Sequence, residues 1–497
     1  MSWLRWGSNG RAAIRWTLVH DRTVRLPTWL RPTSLYRNYT TSSAPARPPL
    51  AVYVHWPYCE SKCTYCDFNK YVDPAVDHER MSQALETELA TSLAPERGRQ
   101  VRSVYFGGGT PSLARPATLA RVLEVVRRYC QLPTGKDGES VEVTLEANPT
   151  SLEVAKLRDF QAIGINRLSL GVQALDDRAL STLLGRNHSA ADALRALGQA
   201  QRWFPNRTTF DLIYGRPGQT LNEWRQELRT ALACTETTPH VSLYELTWKR
   251  GTPLYRDLEA GRYRRPDPDL LSDMYETTVA ICAEHGLQQY EVSNFARIIP
   301  SQAHSAFGSK GPVPPILELP EILCSLPSQS LHNSAYWRGL DYIGVGPGAH
   351  GRITDSVTGV RRRTYRIPHP PAWQAQCETD GHGLRRTVDL GPRETLEELF
   401  MFSLRMREGL PETRFHRHTA AEAGVAGGIR QFVNGEQLEL LLASGHLEWV
   451  EAPFVDDVGH CTSGSLRRWQ ELPTSMVLRP TTKGLPVIDS IIPRLIA

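Results

Sequence analysis

The chain has 497 residues, room for two or three domains and a large core, with the 40% hydrophobic and 22% charged content of an ordinary soluble globular enzyme. It contains no apolar run long enough for a membrane-spanning helix, and nine cysteines in such a length do not make a disulfide scaffold. The net charge of +4 comes from the first 50 residues, which hold eight arginines against one aspartate; the remainder is near −3, so basicity is no argument for nucleic-acid binding.

Those first 50 residues carry Arg5, Arg11, Arg15, Arg22, Arg25, Arg31, Arg37 and Arg47, no lysine, one acid at Asp21, and a Ser/Thr-rich end at Thr40 to Ser43. An acid-poor, arginine-rich amphipathic leader is expected to direct the chain to the mitochondrion, with residues 1–45 as the transit segment. Arginines interrupt any apolar core that a secretory signal would need. A basic tail without structure is the plain alternative.

Next comes Tyr53-Val-His-Trp-Pro-Tyr-Cys59-Glu-Ser-Lys-Cys63-Thr-Tyr-Cys66-Asp-Phe68. Three thiols spaced C-x3-C-x2-C after an apolar strand-like run can converge on one soft metal centre from a single loop. A cubane iron-sulfur cluster needs one ligand per iron, so Cys59, Cys63 and Cys66 leave a fourth iron open to a small molecule. A zinc site would want a fourth donor, for which His55 is near in sequence, and a disulfide would leave one thiol over. Cys130, Cys234, Cys282, Cys324, Cys377 and Cys461 are scattered and read as buried or incidental thiols.

Beyond the cysteine loop, helices and strands alternate. Met81, Leu85, Leu89 and Leu93 mark a helix over Val76 to Ala94, followed by a strand from Val101 to Phe106 and the run Gly107-Gly-Gly-Thr-Pro-Ser112. The pattern predicts helix 117–129 and strand 141–146, helix 152–163 and strand 167–170, helix 189–203 and strand 208–214, then helix 221–232 and strand 241–246. Six alternating units argue for an α/β fold with parallel strands and right-handed crossovers, an open three-quarter version of the eight-unit barrel. Ligand residues should gather where those strands end, and the cysteines, the glycine run, Glu146, Gln173 and Asp211 all fall there. Each alone reads equally as a turn or a cap. The glycine run is not a phosphate loop, because no Gly-Lys-Ser/Thr follows, but successive glycines let backbone approach a ligand.

The cysteine spacing, with an aromatic before the last thiol, resembles the radical S-adenosylmethionine (SAM) superfamily. Phe106-Gly-Gly-Gly-Thr-Pro-Ser112, Glu146-Ala-Asn-Pro149, Asn166 to Gln173, Asp211 to Thr220 and Tyr290 to Phe295 look like the coproporphyrinogen dehydrogenase family and the HemW-type haem chaperones, over about residues 50 to 350. The resemblance implies a 4Fe-4S cluster on Cys59, Cys63 and Cys66, with SAM chelating the open iron. It matches Tyr53, Tyr65, Gly108, Gly109, Thr110, Glu146, Gln173, Arg186 and Asp211 to SAM-contacting positions; Arg186 suits the SAM carboxylate and the acids suit its hydroxyls or amine. A strand-end cap is the structural alternative for Glu146 and Asp211.

Two features are similar to the chaperone type. Cys66 is followed by Asp67-Phe68, where the dehydrogenase carries a further cysteine, and His332-Asn-Ser-Ala-Tyr-Trp337 matches the H-N-x-x-Y-W element associated with haem. Neutral imidazole is an ordinary axial ligand of haem iron, and Tyr336 and Trp337 could flank the macrocycle, although a lone histidine is more often structural. The implied organisation is a radical SAM (β/α)6 domain over 48–295, an inserted Pro/Ser-rich loop over 296–331, a haem-motif and connecting segment over 332–390, and a smaller, mainly helical domain over 391–497. The inserted loop departs from the family, where the link is short. The C-terminal part has no dense basic stripe with aromatic interleaving, so it reads as a cover or partner-docking domain; His350, His416, His418 and His460 have no ligand spacing.

The implied function is a mitochondrial haem chaperone whose partners are haem and recipient haemoproteins, with no nucleic acid and no transmembrane segment. Peripheral membrane contact and a homodimer stay open. The alternative is an enzyme, in which SAM is cleaved to a radical that abstracts hydrogen from a porphyrinogen side chain. Radical modification of RNA is disfavoured by the mildly acidic remainder.

Overall fold

A computed structural model describes residues 47–133, 140–234, 238–297, 328–419, 428–453 and 474–496. The leader 1–45, nearly all of the 296–331 insertion, Cys324, His460 and Cys461 lie outside the described residues.

Six strands run parallel in sequence order: β1 (Leu50–Trp56), β2 (Val101–Gly108), β3 (Glu142–Ala147), β4 (Arg167–Gln173), β5 (Thr208–Tyr214) and β6 (His240–Glu245). They are buried along almost their whole length because helices cover the outer face while side chains fill the inner one. The covering helices start where the sequence supplies caps: Ser189 with Asp192, and Thr220 with Glu223, each form a reciprocal capping box. The helix expected over 152–163 is instead two short pieces, Ser151–Val154 and Leu157–Ala162. Glu153, in the first piece, is drawn inward by the Ser112 hydroxyl and by Asn148 N–H at 2.7 Å.

The six-stranded core extends at both ends into a twelve-stranded sheet. Beyond β6 lies the antiparallel hairpin of β7 (Leu287–Glu291) and β8 (Asn294–Arg297). On the other side β9 (Tyr342–Val345) pairs parallel with β1, followed by β10 (His350–Thr354), β11 (Arg361–Arg366) and β12 (Leu384–Asp389) in antiparallel order. None of these six was expected from periodicity. The turn from β9 to β10 requires glycine: at Gly346, with φ +95°, a Cβ would lie 2.3 Å from the His55 carbonyl oxygen.

The C-terminal part has its own core of Leu396, Phe400, Phe415, Leu438, Leu478 and Ile492. Helices Pro392–Ser403, Glu412–Thr419, Gly435–Ala443 and Ile488–Leu495 pack there with a three-stranded sheet of β13 (Leu410–Pro411), β14 (Leu447–Pro453) and β15 (Thr474–Pro480). Two bidentate ion pairs join it to the barrel side, Arg352 with Glu398, which is buried, and Arg338 with the partly exposed Glu408. No helix among the described residues is long and apolar enough to cross a membrane.

Glu88, fully buried on the helix His78–Leu93, fixes this extension. It accepts from Gly346 N–H at 2.8 Å, Gly383 N–H at 2.7 Å and Trp373 Nε1 at 3.0 Å, with Arg366 3.4 Å away. Replacing Glu88 with alanine leaves three buried donors without their acceptor and removes the countercharge of the Arg366 guanidinium, which keeps the Gly344 carbonyl and the Ser92 hydroxyl. It is expected to cost about 3–5 kcal/mol and to lower the midpoint of thermal unfolding by roughly 5 °C or more, measured by scanning calorimetry.

Candidate functional site

The cysteine loop leaves the C-terminal end of β1 and is held by backbone hydrogen bonds on both flanks. Tyr71 N–H donates to the Pro57 carbonyl at 2.8 Å and Cys59 N–H to the Tyr71 carbonyl at 2.9 Å, while Thr64 N–H reaches the Leu184 carbonyl at 3.1 Å. Each thiol then has a donor of its own. Thr110 Oγ1 donates to Cys59 Sγ at 3.5 Å, Arg186 donates to Cys63 Sγ at 3.3 Å, and the Lys70 ammonium serves Cys66. Burial pushes the Cys59 thiol up to about 11, with the Thr110 hydroxyl opposing, and raises Cys66, with Lys70 opposing. Any metal must therefore displace thiol protons.

Among the described residues, no three His, Cys, Asp or Glu side chains draw together as the ligands of a single ion do. Thiolates on separate corners of a cluster are spread more widely than ligands of one ion. His55, the sequence candidate for a fourth zinc donor, is otherwise engaged: Nδ1 pairs with the Tyr53 hydroxyl at 3.1 Å and Nε2 with the Asn69 carbonyl at 2.8 Å. The donor set present is three soft sulfurs with cationic and hydroxyl donors behind them, which fits an anionic iron-sulfur cluster.

The glycine run passes directly beside this loop. Gly109 N–H donates to the Trp56 carbonyl at 2.7 Å and Thr110 N–H to the Tyr58 carbonyl at 2.8 Å. A Cβ on Gly108, whose φ is +116°, would lie 2.6 Å from the His55 ring, and one on Gly109 would lie 2.8 Å from the Tyr58 carbonyl oxygen. The sequence assigned these glycines to close approach of a ligand; the protein's own β1 exit demands them first.

Glu146, ending β3, uses both carboxylate oxygens. Oε1 accepts from the Tyr105 hydroxyl at 2.7 Å and Oε2 from Gly108 N–H at 3.2 Å. Asp211 on β5 is pushed up to about 7 by burial and then by the charge of Glu146, against the hydroxyls of Ser242 and Ser169. Gln173 ends β4 at a register shift with φ +69°, a left-handed conformation that a non-glycine residue adopts only when its surroundings hold it there. Arg186 donates to Asn148 Oδ1 at 2.5 Å, the Gly171 carbonyl at 3.0 Å and Cys63, while its buried Nε has no protein partner. An unpartnered guanidinium N–H beside the thiols suits an incoming anionic group. Tyr65 is half-buried against Leu180, Leu184 and Ile213, and feels the charges of Cys63, Arg186 and Asp211.

His332 lies elsewhere. Its helix, Leu331–Trp337, covers the opposite, N-terminal end of the strands, where His332 N–H and the Ser330 hydroxyl both donate to Glu142 Oε1 at the start of β3. From there the imidazole projects into the barrel, 1% exposed, with Nδ1 2.9 Å from Ser103 Oγ and Nε2 2.9 Å from the Tyr336 hydroxyl. Burial lowers its pKa to about 3, so the ring is neutral. Tyr336 and Trp337 are not a flanking pair for a flat ligand here: Tyr336 meets His332 and Tyr342 edge-on, and Trp337 packs on Phe402 beneath the Arg405 guanidinium. Asn333 bonds the Tyr290 hydroxyl at 3.3 Å.

The structure thus brings the three cysteines, Tyr65, Gly108, Gly109, Thr110, Glu146, Gln173, Arg186 and Asp211 to one rim, with Tyr53 just below and His332 on the far side. Sequence reasoning missed Lys70, Tyr105 and Asn148. Tyr105 was findable, because β2 pairs with β1 so that Tyr105 stands opposite Tyr53 on the same face.

Residues 53–231 match the family described as the Radical SAM superfamily. The chain is 43% identical over 76% of its length, and 77% of the relative's, to a bovine protein named radical S-adenosyl methionine domain-containing protein 1, mitochondrial. The mouse protein of that name is 41% identical, with 87% and 88% covered. The heme chaperone HemW of Escherichia coli is 33% identical, with 80% and 92% covered. Among solved structures, the radical SAM enzyme coproporphyrinogen III oxidase HemN of Escherichia coli superposes with a TM-score of 0.65, at 21% identity over 91% of each chain.

Because Asp211 titrates near 7 when folded and near 3.9 when unfolded, the folded chain keeps a proton across that window which the unfolded chain has lost. Stability of the metal-free protein should therefore fall as pH rises from about 4 to about 7, by at most about 1.4 kcal/mol per pH unit from this group. Asp211→Asn is expected to flatten the trend. Thermal midpoints of both proteins at pH 5.0 and 7.5 decide it; equal slopes would contradict the assignment.

Proposed function

The chain belongs to the radical SAM family that includes the mitochondrial radical S-adenosyl methionine domain-containing proteins 1 and the HemW heme chaperones, and on that premise we propose that it is a haem chaperone. Its compartment is the mitochondrion, as in relatives so named that are 35–43% identical over most of the chain. In this reading Cys59, Cys63 and Cys66 hold a 4Fe-4S cluster whose fourth iron takes exchangeable SAM. Gly108, Gly109, Thr110 and Gln173 supply backbone and polar contacts to SAM, Glu146 and Asp211 its carboxylate partners, Arg186 its anionic end, and Tyr53 and Tyr65 the adjoining walls. Bound there, the cluster supplies an exchangeable coordination site and a redox centre. The domain of residues 391–497 then offers a surface for recipient haemoproteins.

The observation that carries the haem assignment is the likeness to chains named heme chaperone HemW over four-fifths of this sequence. The residues agree with it: no cysteine follows Cys66, where Asp67 and Phe68 stand, and the H-N-x-x-Y-W helix is present. Because His332 is engaged at both nitrogens, its ligation of haem iron through one of them requires that nitrogen to exchange Ser103 or Tyr336 for the metal.

Anaerobically reconstituted protein is expected to show an iron-sulfur absorption band that Cys63→Ser abolishes, and to bind haem with a Soret shift that His332→Ala weakens. A haem titration unaltered by His332→Ala would move the ligand elsewhere. Conversion of coproporphyrinogen III to protoporphyrinogen IX by the purified protein would replace the chaperone reading with the oxidoreductase one. Removal of residues 1–45 should abolish mitochondrial import.

A further inference from the structure

The ring of His332 is the lowest member of a stack that runs through the barrel to both rim loops. Tyr105 lies over it with centroids 4.8 Å apart and planes 20° from parallel, and Tyr53 flanks both rings at 6.2 Å. The Tyr105 hydroxyl donates to Glu146 Oε1 at 2.7 Å, and Glu146 Oε2 accepts from Gly108 N–H in the glycine run at 3.2 Å. A second branch goes from the Tyr53 hydroxyl to His55 at 3.1 Å and from His55 to the Asn69 carbonyl at 2.8 Å, three residues past the last cysteine. Every joint is a part-buried hydrogen bond or a ring contact, and packed, hydrogen-bonded side chains of this kind constrain one another's orientation.

We propose that His332 is a positioning residue for the SAM end of the barrel, acting through Tyr105 and Glu146 on the backbone of the glycine loop. Its two nitrogens are tied to Ser103 on β2 and to Tyr336, so the plane of the imidazole is set, and the stacked Tyr105 ring inherits that plane. The Tyr105 hydroxyl then meets Glu146 at one place only. With that donor gone, the Glu146 carboxylate is left in the barrel with a single partner, and its hold on Gly108 N–H loosens. Gly108 is sensitive to such loosening because its φ of +116° and its contact with the His55 ring leave it one workable conformation.

Coupling between sites is reciprocal, so any ligand that draws His332 out of the stack weakens SAM at the glycine loop by the factor by which SAM weakens that ligand. Haem iron taking His332 and SAM taking the rim would then oppose one another. The barrel could not hold both at full affinity.

The inference rests on the reading that the glycine loop takes SAM, and the test separates the two. SAM dissociation constants are measured by equilibrium dialysis on anaerobically reconstituted wild type, His332→Ala, Tyr105→Phe, the double variant and Ser103→Ala, with iron-sulfur absorbance as the folding control. His332→Ala and Tyr105→Phe should each weaken SAM by roughly fivefold or more, and the double variant should be no weaker than the worse single one. Ser103→Ala, which frees the ring without a large cavity, should fall between wild type and His332→Ala. Should His332→Ala fail to fold, Tyr105→Phe and Ser103→Ala carry the test. Wild-type affinity in Tyr105→Phe, or losses that multiply in the double variant, would overturn the coupling. A wild type that takes up no SAM would contradict the reading of the loop and the coupling with it.

Discussion

The interior of this barrel is polar, and the need of its buried groups for one another is the constraint on which the rest depends. Glu146, Asp211, Tyr53, Tyr105, His332 and Tyr336 all point inward from strands or from the helix at the N-terminal mouth. An unsatisfied buried donor or acceptor costs about 1–3 kcal/mol. Such a lining persists only if each member is fixed by a neighbour. That mutual fixing lets a loop of three cysteines and a run of three glycines, neither rich in apolar anchors, hold one geometry at the rim.

Rim and floor contribute differently. At the rim, hydroxyl, guanidinium and ammonium donors stand behind individual sulfurs, which favours the thiolate form and bears on the potential of any bound cluster. At the floor, the helix Leu331–Trp337 closes the strands through Glu142 and ties outward to the C-terminal domain, by Trp337 on Phe402 and by Arg338 on Glu408. The H-N-x-x-Y-W element is therefore a junction of barrel, floor and second domain as well as the proposed haem contact. Its histidine faces the SAM side of the barrel from below.

Much of the core was legible because its physics is local. Alternating strand and helix periods predicted the six parallel units, and the cysteine spacing placed a metal centre on one loop; the capping boxes at Ser189 and Thr220, equally local, went unread. The flanking strands β7 to β12 were not legible. β11, Arg361–Arg366, carries five charged or polar side chains in six residues, and is a strand only because β10 and β12 pair with it. Nor could spacing show which end of the barrel His332 enters, since that depends on the helix Leu331–Trp337 packing against the starts of β2 and β3. The glycine run was found for its ligand chemistry, but its necessity turned out to be steric, set by His55 and Tyr58.

In the proposed function, three thiols grip a cubane cluster and leave one iron free for SAM. Mössbauer spectroscopy of anaerobically reconstituted, iron-57-labelled protein, with and without SAM, tests it most directly. About four irons per chain are expected, one of which changes its spectrum when SAM is added while the other three do not. Four equivalent irons insensitive to SAM, or protein that retains a single tetrahedral zinc and no cluster, would contradict it.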